Sequence, residues 1–351
     1  MVRRALVAVA LVGAVALLGG TPTMSAADPR FFGPETDTGQ PVWGLRNGLR
    51  FGVWPGAIGG RGEGGPRGLI RAGYPALPNG DCLLVNFIAI EPVVQGQRAR
   101  GFSELEPSTT DGRPGKTIHA GPPPGVEWRP TEREPVYPGR IEELGGGAAR
   151  LTVCLRVERF GSGAHVYLLA SVRTDRPDEL ELQTFAEADS PPLGACTLTA
   201  TMGNLERLRE LHLKDRVVTA QELYPDFTGD GFAPHTRFGL EQLRRAPDGS
   251  VLVATTTDEA DPAATLPDPD RPWFWHYSGR KLTQYWRKYP GTFEASLAAA
   301  VNARRVYWAS TWRIPNGTAF ENFELNEPFV QGQTSVFGLT ALTPEQLVGA
   351  L

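Results

Sequence analysis

Two glutamates of this chain stand in nearly the same setting. Glu91 lies in "NFIAIEPVVQGQ", from Asn86 to Gln97, and Glu327 in "NFELNEPFVQGQ", from Asn322 to Gln333. Eight of the twelve aligned positions are identical, and upstream "LPNG" (77–80) echoes "IPNG" (314–317). Side chains alternate along a strand, so Phe87, Ala89 and Glu91 share one face, as do Phe323, Leu325 and Glu327. Each copy therefore sets a carboxylate at the edge of an apolar face, where the following proline stops the ladder. A carboxylate so placed needs a hydrogen-bond or charge partner. Two of them about 5–10 Å apart across a cleft form the acid and base of a glycosidase. The competing role is structural, with each glutamate locking a strand end against backbone N–H groups or an arginine. Duplication favours that role, because active sites are usually asymmetric.

Three other groups carry proton chemistry or ligand contacts. His235 closes the loop-like "YPDFTGDGFAPH" (224–235) and could face a cleft. Asp226 and Asp230 offer oxygens to Ca²⁺, but their spacing fits no EF-hand loop, and no cofactor or metal is expected. The richest aromatic stretch is "RPWFWHYSGRKLTQYWRKYPG" (271–291). Its Trp273, Trp275, Tyr277 and Trp286 could stack on sugar rings, with Lys281 holding an acidic group. Tyr285 and Arg287 could support proton transfer and charge neutralisation. The plainer reading makes these aromatics core. In "LTQYWRK" neither face is purely apolar, which predicts a partly exposed strand.

Several chemistries find no support. There is no G-x-S-x-G, H-E-x-x-H or Walker motif, and no C-x-x-C. A formal G-x-G-x-x-G at Gly60, Gly62 and Gly65 is followed by Pro66 rather than a helix, so it reads as a surface loop. The net charge is −4 with no basic stripe, which argues against nucleic acid as a partner. Cys82, Cys154 and Cys196 allow one disulfide at most, and all three reduced and buried is the simpler expectation.

The N-terminus predicts a signal peptide over residues 1–26. Arg3 and Arg4 precede an apolar run from Ala5 to Leu18, and "MSAA" offers small residues for cleavage. The run is shorter than the ~20 residues of a spanning helix. A secreted or periplasmic protein with no membrane span after cleavage is expected.

The remaining chain must position the two glutamates. "RLTVCLRVER" sets Leu151, Val153, Leu155 and Val157 on one face, the mark of a half-buried antiparallel strand. "AHVYLLASVR", "ELELQTFAE", "ACTLTATM", "LEQLRRA", "SVLVATTTD", "RRVYWAST" and "SVFGLTAL" continue as strands. "NLERLRELHL" fits helix or strand. "TPEQL" reads as a helical turn capped by Thr343, with Pro344 at its first position. Residues 106–147, rich in Pro and Gly, show no periodicity and read as a long loop. Many short strands and almost no helix predict an all-β protein, a large antiparallel sandwich of supersandwich or jelly-roll type. The echo on both sides of the loop argues for a single domain over 27–351. Its two strands should lie side by side, or in symmetric places on the two sheets.

With the echo, "TATMGN" (199–204), "QYWRK" (284–288) and "AFENFEL" (319–325), the chain resembles an uncharacterised family of secreted bacterial proteins. In fold it is similar to the large sandwiches of carbohydrate enzymes, the galactose-mutarotase-like and concanavalin-like groups. It lacks the His/His/Glu pattern of the mutarotases and the E-x-D-x-x-E of jelly-roll glycosidases. The resemblance implies a carbohydrate partner and a polysaccharide lyase or glycoside hydrolase. Glu91, Glu327 and His235 would be its catalytic groups. The alternative is a non-catalytic glycan-binding or cell-envelope protein. Oligomeric state stays open.

Overall fold

The computed structural model describes residues 28–34, 39–59, 65–75, 81–132, 134–264 and 276–351. The segment expected to be a signal peptide (1–26), the first PNG, Gly60, Gly62, Trp273 and Trp275 lie outside them. The described chain is nearly all β, with two large antiparallel sheets packed as a sandwich. The first sheet runs in the order β1 (Phe31–Phe32), β2 (Val42–Leu45), β3 (Arg50–Gly52), β4 (Leu69–Tyr74), β5 (Leu83–Val94), β11 (Leu193–Ala200), β19 (Ala319–Asn326), β18 (Ala298–Arg304) and β14 (Thr236–Gly239). The second runs β13 (Val217–Thr219), β12 (Leu208–His212), β16 (Val251–Thr257), β17 (Thr283–Lys288), β20 (Gln333–Thr340), β10 (Arg176–Ala186), β9 (Val166–Arg173), β8 (Ala148–Val157) and β6 (Ile118–Gly121). β15 (Arg244–Arg245) joins it on β16, and β7 (Arg140–Gly145) on β8.

The core fills the space between the sheets. Leu151, Val153, Leu155 and Val157 of β8 are all buried there, as their alternation predicts. Trp286 of β17 packs on Phe337 of β20 and donates its indole N–H to the Phe323 carbonyl of the opposite sheet, 2.9 Å away. Burying an apolar side chain of this kind contributes roughly 1.5–3 kcal/mol. The same space holds a polar chain. Asn86 donates to Gln284 (2.7 Å), and Gln284 donates to Glu206 (2.8 Å). The Asn86 oxygen accepts from the backbone of Phe87 and Met202, at 2.7 and 2.8 Å. Cys82, Cys154 and Cys196 are free and buried.

The two echo strands, β5 and β19, lie in one sheet with β11 between them. They are neither neighbours nor placed on separate sheets, and both run antiparallel to β11. Their faces are also out of phase. Asn86 meets Gln284 of the opposite sheet, so it points inward, and Phe87, Ala89 and Glu91 point outward by alternation. In the second copy Phe323 packs inward on Phe337, so Leu325 and Glu327 are inward and Glu324 outward. A strand has a period of two, so an odd offset turns every letter over.

Several elements differ from the sequence reading. Residues 106–147 carry β6 and β7, both paired to β8. "NLERLRELHL" resolves as strand β12. "LEQLRRA" is mostly a 3-10 turn (Leu240–Gln242) before β15. "RRVYWAST" starts on the last residue of β18, Arg304, and beyond it holds only an isolated bridge from Val306 to Arg313. The C-terminal turn extends to α2 (Pro344–Ala350), capped by Thr343 with Pro344 at its start. β17 is buried along its whole length rather than partly exposed. Its outer face is covered by α2, where Leu347 packs in one cluster with Tyr285, Leu252 and Ala254. Among the described residues no helix is long and apolar enough to cross a membrane.

Candidate functional site

The outer face of the first sheet is polar and mostly covered. Thr197 of β11 stands opposite Glu91, and Thr199 stands opposite both Ala89 and Glu324. Ala300 of β18 follows Glu324 in the same row, then Arg237 of β14. The segment after β5 folds back over this face. Where β4 stops, its backbone continues the sheet: Ser103 donates to the Ile90 carbonyl at 3.2 Å, and its hydroxyl accepts from Ile90 N at 2.9 Å. Gly68 makes the approach possible, because a Cβ there would stand 1.9 Å from the Ser103 carbonyl oxygen.

That segment brings Arg100 to the sheet. Arg100 Nη1 donates to Glu91 Oε2 at 2.5 Å and to Glu324 Oε1 at 3.2 Å. Glu324 Oε1 also accepts from Asn326 Nδ2 at 3.0 Å, and Thr197 donates to Asn326 Oδ1 at 2.9 Å. His235 Nε2 lies 4.0 Å from Glu324 Oε1. The side chains of Glu91 and Glu324 are 2% and 1% exposed, against 23% for Arg100 and 37% for His235. Arg100 and His235 thus form the solvent side of the cluster.

Burial dominates the electrostatics. It pushes the Glu91 carboxyl up to about 8, with the negative charge of Glu324 adding to the rise and Arg100 opposing it. Glu104, just past Arg100 and within electrostatic reach of Glu91, rises to about 7 for the same first reason. Glu321 rises to about 8. Burial pushes the His235 imidazole below its ordinary value, which keeps the ring neutral at pH 7. The arrangement thus sets a carboxyl raised by burial and an imidazole lowered by burial on either side of the hydrogen-bonded Glu324.

The other expected residues lie elsewhere. Glu327 sits at the inner rim of the sandwich, 2.5 Å from Lys288 Nζ, both side chains buried. Beside it is a pocket of about 260 Å³ lined by residues 291–294 and 330–334. Tyr285 and Arg287 lie on the outer face of the second sheet. Arg287 bonds Glu179 and Asp248, each at 2.6 Å, and Tyr285 donates to Glu179 at 3.1 Å. Tyr277 is buried and donates to the Arg280 carbonyl, Trp286 is core, and Lys281 is exposed. Asp230 pairs with Arg313 at 3.0 Å. Among the described residues no three His, Cys, Asp or Glu side chains gather to hold a metal.

Of the sequence candidates, the structure brings together Glu91 and His235. It adds Glu324, Arg100, Glu104 and Glu321. The signal for Glu324 was the polar set Asn322, Glu324 and Asn326 on one strand face, which reads equally well as a solvated face. Arg100 and Glu104 lie in a run without periodicity.

Comparison with family models, curated proteins and solved structures gives no match.

Proposed function

We propose that this chain is a secreted carbohydrate-active protein that hydrolyses a polysaccharide, with Glu91 and Glu324 as its catalytic pair. The observation that supports this most is the sharing of Arg100 Nη1 by two buried glutamates. The gap between those oxygens cannot exceed the two contacts laid end to end. That limit suits the about 5–5.5 Å of retaining glycosidases and falls short of the about 6.5–9.5 Å of inverting ones. Glu91, held protonated by burial, gives its proton to the leaving glycosidic oxygen. Glu324, oriented by Asn326, attacks the anomeric carbon. Water then releases the sugar as Glu91 takes the proton back. A sugar reaches the pair when the Arg100 side chain withdraws toward solvent.

Hydrolysis suits this cluster better than β-elimination. A lyase must neutralise the carboxylate of a uronate. Here one guanidinium is already divided between two glutamates.

The burial of Glu91 and Glu324 supports a second reading, a non-catalytic glycan-binding or envelope protein in which Arg100 only ties the covering segment to the sheet. One experiment separates the two. The purified protein is incubated with neutral, amino-sugar and acidic polysaccharides, and reducing ends and the absorbance of unsaturated uronates are followed. Reducing ends that disappear in Glu91→Gln and Glu324→Gln support hydrolysis. Glycan binding without any cleavage supports the second reading.

A further inference from the structure

The pocket beside Glu327 lies where the chain twice crosses between the sheets. One crossing leads from β17 of the second sheet to β18 of the first, the other from β19 of the first to β20 of the second. Residues 291–294 of one crossing and 330–334 of the other line its about 260 Å³, together with Glu327. Loops carried by a rigid scaffold are where binding residues concentrate.

Both walls are held in place. Gln333 N–H donates to the Val330 carbonyl and Val330 N–H to Gln333 Oε1, each at 2.9 Å. Gln331 grips both backbone groups of Ala186 on β10, accepting at 3.0 Å and donating at 2.9 Å. Gly332, at φ +78°, donates to the Thr184 carbonyl at 2.9 Å. The first copy of the echo makes the same turn, with Gln97 N–H donating to the Val94 carbonyl at 3.0 Å and Gly96 at φ +80°. The echo thus supplies one wall. In the other wall the N–H and hydroxyl of Thr292 both donate to the Tyr289 carbonyl, at 3.2 and 2.9 Å. Walls fixed beforehand lose little freedom when a ligand enters.

The chemistry of the pocket is specific. The Glu327 side chain is 4% exposed, with Lys288 Nζ 2.5 Å from Oε1 and Glu294 N–H donating to Oε2 at 3.2 Å. The ammonium balances its charge, so the pocket has no need of a cationic ligand. A carboxylate offers about four acceptor positions, so room remains for ligand hydroxyls to donate to it. Glu294 is exposed and adds a second carboxylate, which disfavours anions. Phe293, half-buried and packed on the core, gives an apolar wall, and Val330 is 52% exposed on the facing loop. Carboxylate acceptors beside an aromatic ring match the hydroxyl edge and the C–H face of a neutral sugar. The volume equals that of about nine waters and lies just below the ~300–1,000 Å³ of larger ligand sites. It suits one sugar ring.

We infer that this pocket binds a single neutral sugar unit, at a site separate from the Glu91–Glu324 pair. The ligand class follows from the pocket itself and does not depend on the hydrolase reading.

The test is saturation-transfer NMR of the purified protein with neutral trisaccharides of gluco, galacto and manno configuration, and with a galacturonic acid trisaccharide. A pocket for one ring gives a Kd of about 1–10 mM. At least one neutral probe should bind in that range, and the uronate should not. Phe293→Ala should weaken the neutral probe at least about threefold, and Val330→Arg, at an exposed position, should block it. Glu91→Gln should leave it unchanged. Silence of every neutral probe, tighter binding of the uronate, or binding untouched by both pocket variants overturns the inference. Loss of binding in Glu91→Gln also overturns it, by placing the sugar at the outer cluster. Polysaccharide cleavage without pocket binding refutes this inference and leaves the hydrolase reading intact. Pocket binding without cleavage does the reverse. Thermal melting checks that each variant is folded, and Val330→Arg carries the test if Phe293→Ala is not.

Discussion

Glu91 and Glu327 stand at the same place in two nearly matching stretches of sequence and face opposite sides of one sheet. Each has found a cation at 2.5 Å, Arg100 for the first and Lys288 for the second. The outward member joins a cluster of further carboxylates. The inward member closes the rim of the core. The echo therefore encodes one strand-ending device used in two environments, one facing the covered outer surface and one the rim of the core.

The first prediction separates the twins. Glu91→Gln and Glu324→Gln should each lower the rate of reducing-end release by roughly 10²–10⁴-fold, the range for removing a positioned acid or base. Glu327→Gln should leave the rate per folded molecule within about twofold, because Lys288 and not the cluster is its partner. Equal losses in all three variants would refute the assignment.

The Lys288–Glu327 pair is expected to matter for stability. Lys288→Ala leaves a buried carboxylate uncompensated and should cost about 3–5 kcal/mol. Joint replacement, Lys288→Met with Glu327→Leu, should recover most of it, since an apolar pair of similar volume avoids desolvation. Denaturant unfolding gives both values. A double variant no more stable than Lys288→Ala would count against this.

Stability should fall as pH rises from about 5 to 8. Burial raises the carboxyls of Glu91 and Glu321 to about 8 and Glu104 to about 7, from an ordinary value of 4.5. Between the ordinary and raised values the folded chain binds more protons than the unfolded one. The favourable contribution is thus complete below about 4.5 and is lost as pH climbs through the raised values. Glu321→Gln removes one such group and should flatten the curve of melting temperature against pH. A curve that keeps its slope in this variant would exclude Glu321 as a contributor.

The inward polar chain gives a fourth test. Asn86→Ala strips two backbone N–H groups and Gln284 of their partner. With each bond worth about 1 kcal/mol and the orphaned groups costing more, a loss of about 2–4 kcal/mol is expected. Asn322→Ala, whose side-chain oxygen has no partner, should cost under about 1 kcal/mol. Paired chemical melts would show the difference, and similar costs would contradict the opposite-face assignment.

The sequence made the strands legible wherever one face was apolar. Leu151 to Val157 alternate cleanly because only one side of β8 meets the core. Thr343 and Pro344 marked the start of α2 because capping is local chemistry. Glu91 was legible through Pro92. Its face was not, because inward and outward are fixed by pairing with β11, about a hundred residues away. The same limit hid Glu324 as the row-mate of Glu91, and the register shift of β19 beside Glu321. The burial of Tyr285 and Arg287 was hidden for a related reason. Their cover comes from the last helix and from Glu179 and Asp248, and Gly338 lets the Tyr285 ring lie flat on β20, where a Cβ would meet it at 2.0 Å.

The placement of β11 between β5 and β19 sets an order of assembly. β5 pairs with β4 and β11, but Glu324 arrives only with β19, more than two hundred residues later. Contacts so distant in sequence form late, after the loop entropy between them has been overcome. A nascent chain that has emerged only as far as β18 already holds Arg100 and Glu91, yet has no second carboxylate to share. The chemistry proposed here would stay silent until nearly the whole polypeptide is made and folded.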